Sequence, residues 1–379
     1  MSILKKTLSC VVLAALGTCA LAGCGRQDTS NEATTSASPE TSAAITETVN
    51  ESTPASEQTP TPGTQSTQPA DVTSTPFGQH GALHVENGKL TDADGNIVQL
   101  YGMSTHGIAW FPQYINYDSF RTLRDDWNTN CIRLAMYTAE YGGYCAGGDK
   151  EQLKQLVRDG VSYATELGMY VIVDWHILSD CDPNQNKDEA IAFFREMSEA
   201  FADNDNVLYE ICNEPNSGTS WDSIKSYAEE VIPVIREQKP DAVILVGTPT
   251  WSQEIDKAAS SPLTFDNVMY TLHFYAGTHK DDLRNRLETC AQNNLPVFVS
   301  EFGMCDASGN GANDFDSTTK WLDLLNKYQI SFCCWNLANK DESSSVFKAA
   351  STALFDWTDE DFNESGRWIR DYFRSMPRN

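Results

Sequence analysis

Eight short apolar segments alternate with amphipathic stretches between residues 98 and 335, a pattern that few folds can accommodate. Several segments are nearly continuous in Val, Ile, Leu and aromatic residues, which is typical of strands buried on both faces of a parallel sheet. The segments are Val98–Met103, Cys131–Tyr137, Tyr170–Trp175, Val207–Cys212, Val243–Gly247, Val268–Tyr275, Val297–Ser300 and Ile330–Trp335.

The stretches between these segments repeat apolar residues at the period of a helix. Three such stripes are Leu153, Leu156, Val157, Gly160, Val161 and Ala164; Trp221, Ile224, Ala228, Val231 and Ile235; and Trp321, Leu324, Leu325 and Tyr328. Eight strand–helix units over about 300 residues predict a single α/β domain, a (β/α)8 TIM barrel, rather than an open doubly wound sheet. The sequence has no Gly-rich phosphate loop after the first segment, which also disfavours a dinucleotide-binding fold.

Residues 1–23 have the form of a secretory signal peptide. A short positive region precedes an apolar run from Leu8 to about Leu21, which is too short for a good membrane-spanning helix. The run ends in Leu-Ala-Gly-Cys at residues 21–24, which resembles the lipobox of bacterial lipoproteins. This resemblance implies that Cys24 becomes a lipidated N-terminus that holds the protein on a membrane surface. An ordinary signal peptide with an incidental cysteine is the alternative.

Residues 24–76 are dominated by Thr, Ser, Pro, Glu, Gln and Ala. Such a segment buries too little apolar surface to offset the entropy of ordering, so we expect a disordered linker after the lipid anchor. The globular domain is expected to span residues 77–379. It should open with a hairpin, since the strand-like Leu83–Val85 is followed by the turn signals Asn87-Gly88 and Asp94-Gly95.

The charge balance and the cysteines exclude some classes of partner. The chain carries 27 Lys and Arg against 53 Asp and Glu, a net charge of −26, which would repel a nucleic acid. The remaining cysteines form no CxxC pair or zinc-like spacing, so we expect no metal. They are Cys131, Cys145, Cys181, Cys212, Cys290, Cys305, Cys333 and Cys334. Cys145 and Cys181 fall in predicted loops and could pair, because export permits a disulfide without requiring one.

Two glutamates follow predicted strands. Glu214 comes after the fourth segment in Asn-Glu-Pro, and Glu301 ends the seventh in Ser-Glu-Phe-Gly. Active sites of such barrels lie at the carboxyl ends of the strands, so both carboxyl groups should project into one mouth. A single glutamate there is more often structural, but a pair is what cleavage of a glycosidic bond requires.

Other polar and aromatic residues fall at the same ends of strands. Arg133 lies inside an apolar strand, where it is costly unless paired, and we expect it to keep Glu301 ionised. His176, His273, Tyr275 and Trp335 end the third, sixth and eighth segments. Each alone could be an ordinary packing or hydrogen-bonded core residue. Together they would ring one opening, where aromatic faces suit pyranose rings and polar side chains suit hydroxyls.

Seven motifs, in this order, closely resemble glycoside hydrolase family 5, and most of all its bacterial endoglucanase (cellulase) branch. They are Gly102–Gly107, Ile132–Tyr137, Val173–His176, Tyr209–Pro215, Leu272–Gly277, Ser300–Gly303 and Trp335–Lys340. The resemblance extends from about residue 80 to about residue 375. As an ordered set around one barrel the motifs are highly specific, whereas Asn-Glu-Pro alone would be only moderately so.

The resemblance implies a role for each candidate site residue. It makes Glu214 the general acid/base and Glu301 the nucleophile. It implies that Asn213 binds the 2-hydroxyl of the sugar being cleaved, and that His273 and Tyr275 position the carboxyl groups. Arg133 and His176 would complete the surrounding shell. The glycone side would be lined by His106, Trp110, Trp335 and Lys340, and Trp251 would stack on the leaving-group side. It implies no cofactor and no metal, since carboxyl groups and water suffice.

The two glutamates need opposite protonation states for this chemistry. We expect Arg133 to favour the charged form of Glu301, and the charge of Glu301 to raise the pKa of Glu214. Once Glu301 is esterified its charge disappears, so Glu214 should acidify and act as the base for water.

The sequence thus predicts a retaining endo-β-1,4-glucanase, acting as a monomer on the extracellular face of a bacterial membrane. Its substrate would be cellulose or a related β-glucan. The nearest alternative is a hydrolase of the same class that acts on β-mannan, xyloglucan or mixed-linkage glucan, because contacts in the loops decide which polysaccharide is bound. A less favoured alternative is a non-catalytic surface lipoprotein that only binds sugars, since a binding protein needs neither a general acid nor a nucleophile.

Overall fold

The computed structural model describes residues 72–377. The expected signal peptide, the lipidation site Cys24 and most of the expected linker lie outside the described residues. The first described elements are a 3-10 turn at Val72–Ser74 and the helix α1, Pro76–His80, so the last residues assigned to the linker belong to these elements. Within residues 72–377, no helix has the length and apolarity needed to cross a bilayer.

Eight parallel strands close into a barrel, as the alternation of segments predicts. A hairpin of β1 (His84–Glu86) and β2 (Lys89–Thr91) precedes them at the predicted place. The barrel strands are β3 (Tyr101–Thr105), β4 (Cys131–Tyr137), β5 (Tyr170–His176), β6 (Val207–Glu210), β7 (Ile244–Val246), β8 (Val268–Tyr275), β9 (Val297–Gly303) and β10 (Phe332–Leu337). Each strand pairs with the next in sequence, and β10 pairs with β3 to close the ring, which is the order of a (β/α)8 barrel.

Helices surround the barrel and follow its strands. They are α2 (Tyr117–Asp125), α3 (Lys150–Glu166), α4 (Lys187–Ala200), α5 (Trp221–Arg236), the single turn α6 (Pro249–Ser252), α7 (Ile255–Ser260), α8 (Asp281–Gln292), α9 (Phe315–Lys327) and α10 (Glu364–Ser375). The predicted stripes on α3, α5 and α9 face the barrel: Val157, Ile224 and Trp321, for example, are fully buried. Short 3-10 turns occur at Pro112–Tyr114 and Pro183–Asn186.

Two apolar layers hold the barrel together. The larger lies between the strands and the helices, where side chains of α3, α5 and α9 pack on the outer faces of the strands. The smaller joins the hairpin, through Leu83 and Leu90, to inward-facing residues at the start of the strands, such as Ile172 and Leu245. The hairpin therefore packs against the amino-terminal end of the barrel, and the opposite end is left for a site.

The cysteines of the described region are all free thiols. Cys145 and Cys181, the two that could have paired, are separate: the Sγ of Cys181 contacts the carbonyl oxygen of Ser179 and the hydroxyl of Ser217, each at 3.3 Å. Both lie in loops, as the sequence indicates, but the pairing is not formed.

Candidate active site

A cavity of about 710 Å³ opens at the carboxyl end of the strands. Ten of the twelve candidate residues line it: His106, Trp110, His176, Glu214, Trp251, His273, Tyr275, Glu301, Trp335 and Lys340. The other two, Arg133 and Asn213, are fully buried behind this wall. Residues to which no role was assigned from the sequence also line it, including Tyr137, Gln253, His279 and Glu342.

Glu301 is held at the end of β9 by two donors. The hydroxyl of Tyr275 donates to Oε1 at 2.8 Å, and Nη1 of Arg133 donates to Oε2 at 3.2 Å. Only 4% of the residue is exposed. A Cβ at Gly303 would lie 2.4 Å from the Tyr275 ring, so glycine at this position makes room for the tyrosine. The carboxylate is therefore fixed in orientation before any substrate binds.

Glu214 occupies the loop after β6 and faces Glu301. Its Oε1 pairs with Nδ1 of His273 at 3.0 Å, and 12% of its side chain is exposed. Within the described residues its Oε2 has no hydrogen-bond partner, so this oxygen is open to the cavity. One carboxylate oxygen of Glu214, one of Glu301 and one ring nitrogen of His273 all lie within 4.8 Å of one another. The two carboxyl groups are thus close enough to act on one bond.

His273 links Glu214 to a buried carboxylate that the sequence analysis missed. Its Nε2 lies 2.9 Å from Oγ of Ser300, which in turn donates to Oε1 of Glu210 at 2.7 Å. Burial lowers the pKa of His273, but its hydrogen-bonded interactions with Glu210 and Glu214 outweigh burial and raise the pKa to about 9. At neutral pH the ring is therefore an imidazolium that donates to both sides.

Arg133 makes more ion pairs than the sequence predicts. Besides Glu301, it contacts Glu210 from Nε at 2.7 Å and Asp174 from Nη2 at 2.9 Å, and all these groups are buried. Burial alone would raise the pKa of Glu210, yet the charges of Arg133 and His273 lower it to about 2. The arginine is thus the centre of a buried cluster of ionisable groups beneath the cavity.

Asn213 and His176 continue this buried network. Oδ1 of Asn213 accepts from Arg133 at 2.6 Å, and its Nδ2 donates to the carbonyl of Ile177 at 3.1 Å and lies 3.2 Å from Nε2 of His176. His176 in turn contacts Asp174 through Nδ1 at 2.6 Å. Burial and the charge of Arg133 hold the pKa of His176 well below its usual range, so its ring is neutral. Both hydrogens of Nδ2 are engaged, so Asn213 can donate to a sugar hydroxyl only by exchanging one of these bonds.

The electrostatics of Glu301 differ from the expectation. Arg133 does contact it and favours its charged form, as do His273 and the hydroxyl of Tyr275. Burial and the charge of Glu214 nevertheless raise the pKa of Glu301 above its ordinary value. Arg133 therefore favours the charged form of Glu301, as expected, but it does not outweigh burial, because the arginine is shared with Asp174 and Glu210 while the carboxyl group loses nearly all contact with water.

One side of the cavity is aromatic. The His176 and Trp335 rings stack with centroids 5.3 Å apart, and Tyr137 packs on His176 at 4.1 Å and on Trp110 at 4.6 Å. These residues come from β3, β4, β5 and β10 or the loops that follow them. Flat apolar faces of this kind suit the faces of sugar rings.

Two charged residues border the aromatic side. Lys340 pairs with Glu342 at 2.6 Å and lies 3.4 Å from Nε2 of His106. Burial and the charge of Lys340 lower the pKa of His106 to about 4, so this ring is neutral. Together the three residues offer donors and acceptors for hydroxyl groups at the rim of the aromatic surface.

Trp251 stands on the opposite side of the cavity, after β7. Thr250, Trp251 and Ser252 all have positive φ, between 53° and 59°, which is rare for residues other than glycine. Hydrogen bonds hold this turn: Trp251 donates from its backbone N to the carbonyl of Pro215 at 3.0 Å, and Ser252 donates from Oγ to the carbonyl of Asn213 at 2.6 Å. The turn leaves Trp251 44% exposed.

Glu214, His273 and Glu301 are also close enough to be considered as metal ligands. The chemistry of His273 does not fit this role. Its two ring nitrogens face Glu214 and Ser300, and in the imidazolium form neither nitrogen has a lone pair to give. The group therefore fits acid–base chemistry better than metal binding.

Comparisons with known proteins agree with this geometry. Residues 91–341 match the family described as cellulase (glycosyl hydrolase family 5). The chain is 50% identical over 300 residues to endoglucanase A of Butyrivibrio fibrisolvens, covering 78% of this chain and 70% of that protein. It is 46% identical over 307 residues to an endoglucanase of Clostridium saccharobutylicum, covering 80% and 67% respectively.

A solved structure is similar over nearly the same region. The catalytic domain of a Thermobifida fusca endoglucanase, in complex with cellotetraose, superposes with a TM-score of 0.76 at 41% identity. The match covers 79% of this chain and 100% of that domain.

Proposed function

We propose a reaction role for each of the two glutamates from the premise that the chain belongs to glycosyl hydrolase family 5, the cellulase family, and is an endo-β-1,4-glucanase. In this proposal the chain cleaves internal β-1,4-glucosidic bonds with retention of configuration. Glu301 is the nucleophile and Glu214 is the general acid/base.

The observation that carries the proposal is the short distance between the two carboxyl groups. One carboxylate oxygen of Glu214 and one of Glu301 lie within 4.8 Å of each other. Retaining enzymes hold their carboxyl groups about 5–5.5 Å apart, whereas inverting enzymes need roughly 6.5–9.5 Å to admit a water. The separation therefore supports direct attack on the sugar rather than attack by water.

The contacts of each glutamate support its assigned role. Tyr275 and Arg133 both donate to Glu301, which fixes an oxygen for attack and favours the charged form. Glu214 meets His273 through Oε1 only, so its Oε2 can carry the proton to the leaving oxygen. Attack by Glu301 forms an ester at the anomeric carbon as the C–O bond to the leaving sugar breaks. Glu214 then takes a proton from water, which displaces Glu301 with a second inversion.

The cavity supports an orientation for the polymer. The aromatic side built from β3, β4, β5 and β10 would hold the glycone half of the chain. Trp251, after β7, would stack on the leaving-group half, since β7 lies opposite β3 in the ring of strands. All these groups come from one chain, which supports catalysis by a monomer.

The first-formed product tests the double displacement. With cellopentaose as substrate, ¹H NMR during the first minutes should show the β-anomer of the new reducing ends, followed by slow mutarotation. If the α-anomer forms first, the displacement is single and Glu301 is not a nucleophile. Reducing-sugar release from carboxymethylcellulose, β-mannan, xyloglucan and mixed-linkage glucan ranks the backbones, with Glu301→Gln as the inactive control.

We further propose that the enzyme is a lipoprotein on the extracellular face of a bacterial membrane. The proposal rests on the sequence, in which Leu-Ala-Gly-Cys at residues 21–24 ends an apolar signal. A polar linker of about 50 residues would span roughly 40 Å as a flexible chain, which would keep the active site clear of the lipid headgroups. An enzyme held there would act on polymers outside the cell.

A further inference from the structure

His279 lines the cavity but makes no hydrogen bond to either glutamate within the described residues. It lies four residues after Tyr275, where the chain folds back beyond the end of β8. Its side chain is therefore available to a molecule that occupies the cavity.

The position of the ring is fixed by the backbone around it. The backbone N of His279 donates to the carbonyl of Tyr275 at 2.8 Å, and the indole of Trp321 donates to the carbonyl of His279 at 3.0 Å. In return, the backbone N of Tyr275 donates to Nδ1 of His279, also at 2.8 Å. Flipping the ring would place a carbon at Nδ1 and leave that N–H unpaired, so one orientation is favoured.

These contacts also determine where the proton sits. Because Nδ1 accepts from a backbone N–H, the neutral ring must carry its hydrogen on Nε2. Burial and the nearby charge of Lys280 lower the pKa of His279, although Glu214 opposes them, so the ring is neutral near pH 7. The residue therefore presents an N–H donor at Nε2, and no acceptor for it occurs between residues 72 and 377.

The barrel places this donor on the same side as Trp251. His279 follows β8 and Trp251 follows β7, which are neighbouring strands, and both stand across the ring from the aromatic side on β3 and β4. Gln253, two residues after Trp251, also lines the cavity. In the proposed orientation of the polymer, this half of the cavity holds the part of the chain that departs.

We propose that His279 donates from Nε2 to a hydroxyl of the sugar on the leaving-group side and so favours sugar leaving groups. The inference rests on the proposed function of the cavity and adds a specificity determinant to it. The rival explanation is structural: the ring only fixes the turn that carries Tyr275.

Two substitutions separate these roles. In His279→Asn, Oδ1 takes the place of Nδ1 and still accepts from Tyr275, but the donor at the far edge is lost. In His279→Gln, the side-chain amide can supply a donor near the position of Nε2, but the acceptor for Tyr275 is lost. The substrates are cellopentaose, which has sugars on the leaving-group side, and β-cellobiosyl fluoride, which has none.

The readout is the ratio of kcat/KM for cellopentaose to kcat/KM for the fluoride. His279→Asn should lower this ratio by roughly tenfold, the effect of one lost hydrogen bond, and His279→Gln should keep it within about twofold of wild type. An unchanged ratio in His279→Asn overturns the proposal. A parallel loss on both substrates that is larger in His279→Gln overturns it in favour of the structural role. Failure of the wild type to hydrolyse the fluoride with retention would refute the proposed mechanism instead.

Discussion

The hydroxyl of Tyr275 donates to Oε1 of Glu301 at 2.8 Å, and both groups are held by the ends of neighbouring strands. Burial and the charge of Glu301 raise the pKa of Tyr275 well above its usual range, so the phenol stays protonated and remains a donor. The bond therefore acts as a permanent support for the charged form of the nucleophile.

Removing this donor should slow the reaction without unfolding the protein. Tyr275→Phe keeps the ring that packs against Gly303 but loses the bond to Glu301. A hydrogen bond to a charged group contributes about 1.5–3 kcal/mol, so kcat on β-cellobiosyl fluoride should fall roughly 10–100-fold. The acidic limb of the rate profile should move to higher pH, because the charged form of Glu301 is less favoured. A wild-type rate and an unmoved limb would show that the bond is not used in catalysis.

Arg133 should stabilise the folded protein. Arg133→Met removes the positive charge shared by Asp174, Glu210 and Glu301, and leaves buried carboxylates unpaired. Breaking a buried ion pair from one side costs about 3–5 kcal/mol, which urea unfolding would measure. Lys327→Ala breaks an exposed pair with Glu288 and should cost far less, because solvent screens that pair. Equal costs for the two variants would contradict the buried cluster.

His273 should make stability depend on pH in the alkaline range. Its pKa in the folded protein, about 9, lies above the value of about 6.5 expected in the unfolded chain. The stabilisation is therefore complete below about pH 6.5 and is lost as the pH rises through about 9. Between pH 6 and pH 9.5, the free energy of unfolding measured with urea should fall less in His273→Asn than in wild type. His84→Asn, on the hairpin, is the control, and its free energy of unfolding should fall between the two pH values by as much as that of the wild type.

Strand order was enough to predict the two glutamates but not the buried cluster beneath them. Glu214 and Glu301 lie at strand ends, and a closed parallel barrel brings all such ends to one mouth. Asp174 and Glu210 lie inside the predicted apolar segments, and whether such a residue points into the barrel depends on strand tilt and stagger. A carboxylate inside an otherwise apolar strand was the available signal, because it is costly without a partner.

The loop residues were harder to predict. His279 and Glu342 reach the cavity through turns whose paths depend on contacts with other loops. The left-handed turn at residues 250–252 contains no glycine, which is the usual sequence signal for such a turn. The raised pKa of Glu301 depends on how far its carboxyl group is buried and on how many carboxyl groups Arg133 contacts. Neither can be predicted from the residues next to Glu301 in the sequence.

The lipid anchor is tested by one substitution outside the described residues. Cys24→Ser removes the thiol that would be acylated, so the protein should leave the membrane fraction while keeping its specific activity on carboxymethylcellulose. Burial of an acyl chain contributes about 0.8 kcal/mol per CH₂, and no other attachment is proposed. Cys10→Ser, within the signal, should stay membrane-bound. If Cys24→Ser still sediments with membranes, the lipobox interpretation is wrong.

The configuration of azide products assigns the two glutamates most directly. With β-cellobiosyl fluoride, Glu214→Ala should still form the ester on Glu301, and added azide should displace it to give the β-azide by two inversions. Glu301→Gly has no nucleophile, so azide should enter the vacated space and give the α-azide by one inversion. The account predicts ¹H NMR coupling constants for a β-azide from Glu214→Ala and an α-azide from Glu301→Gly. The opposite pair of products would reverse the assignment and contradict the central claim.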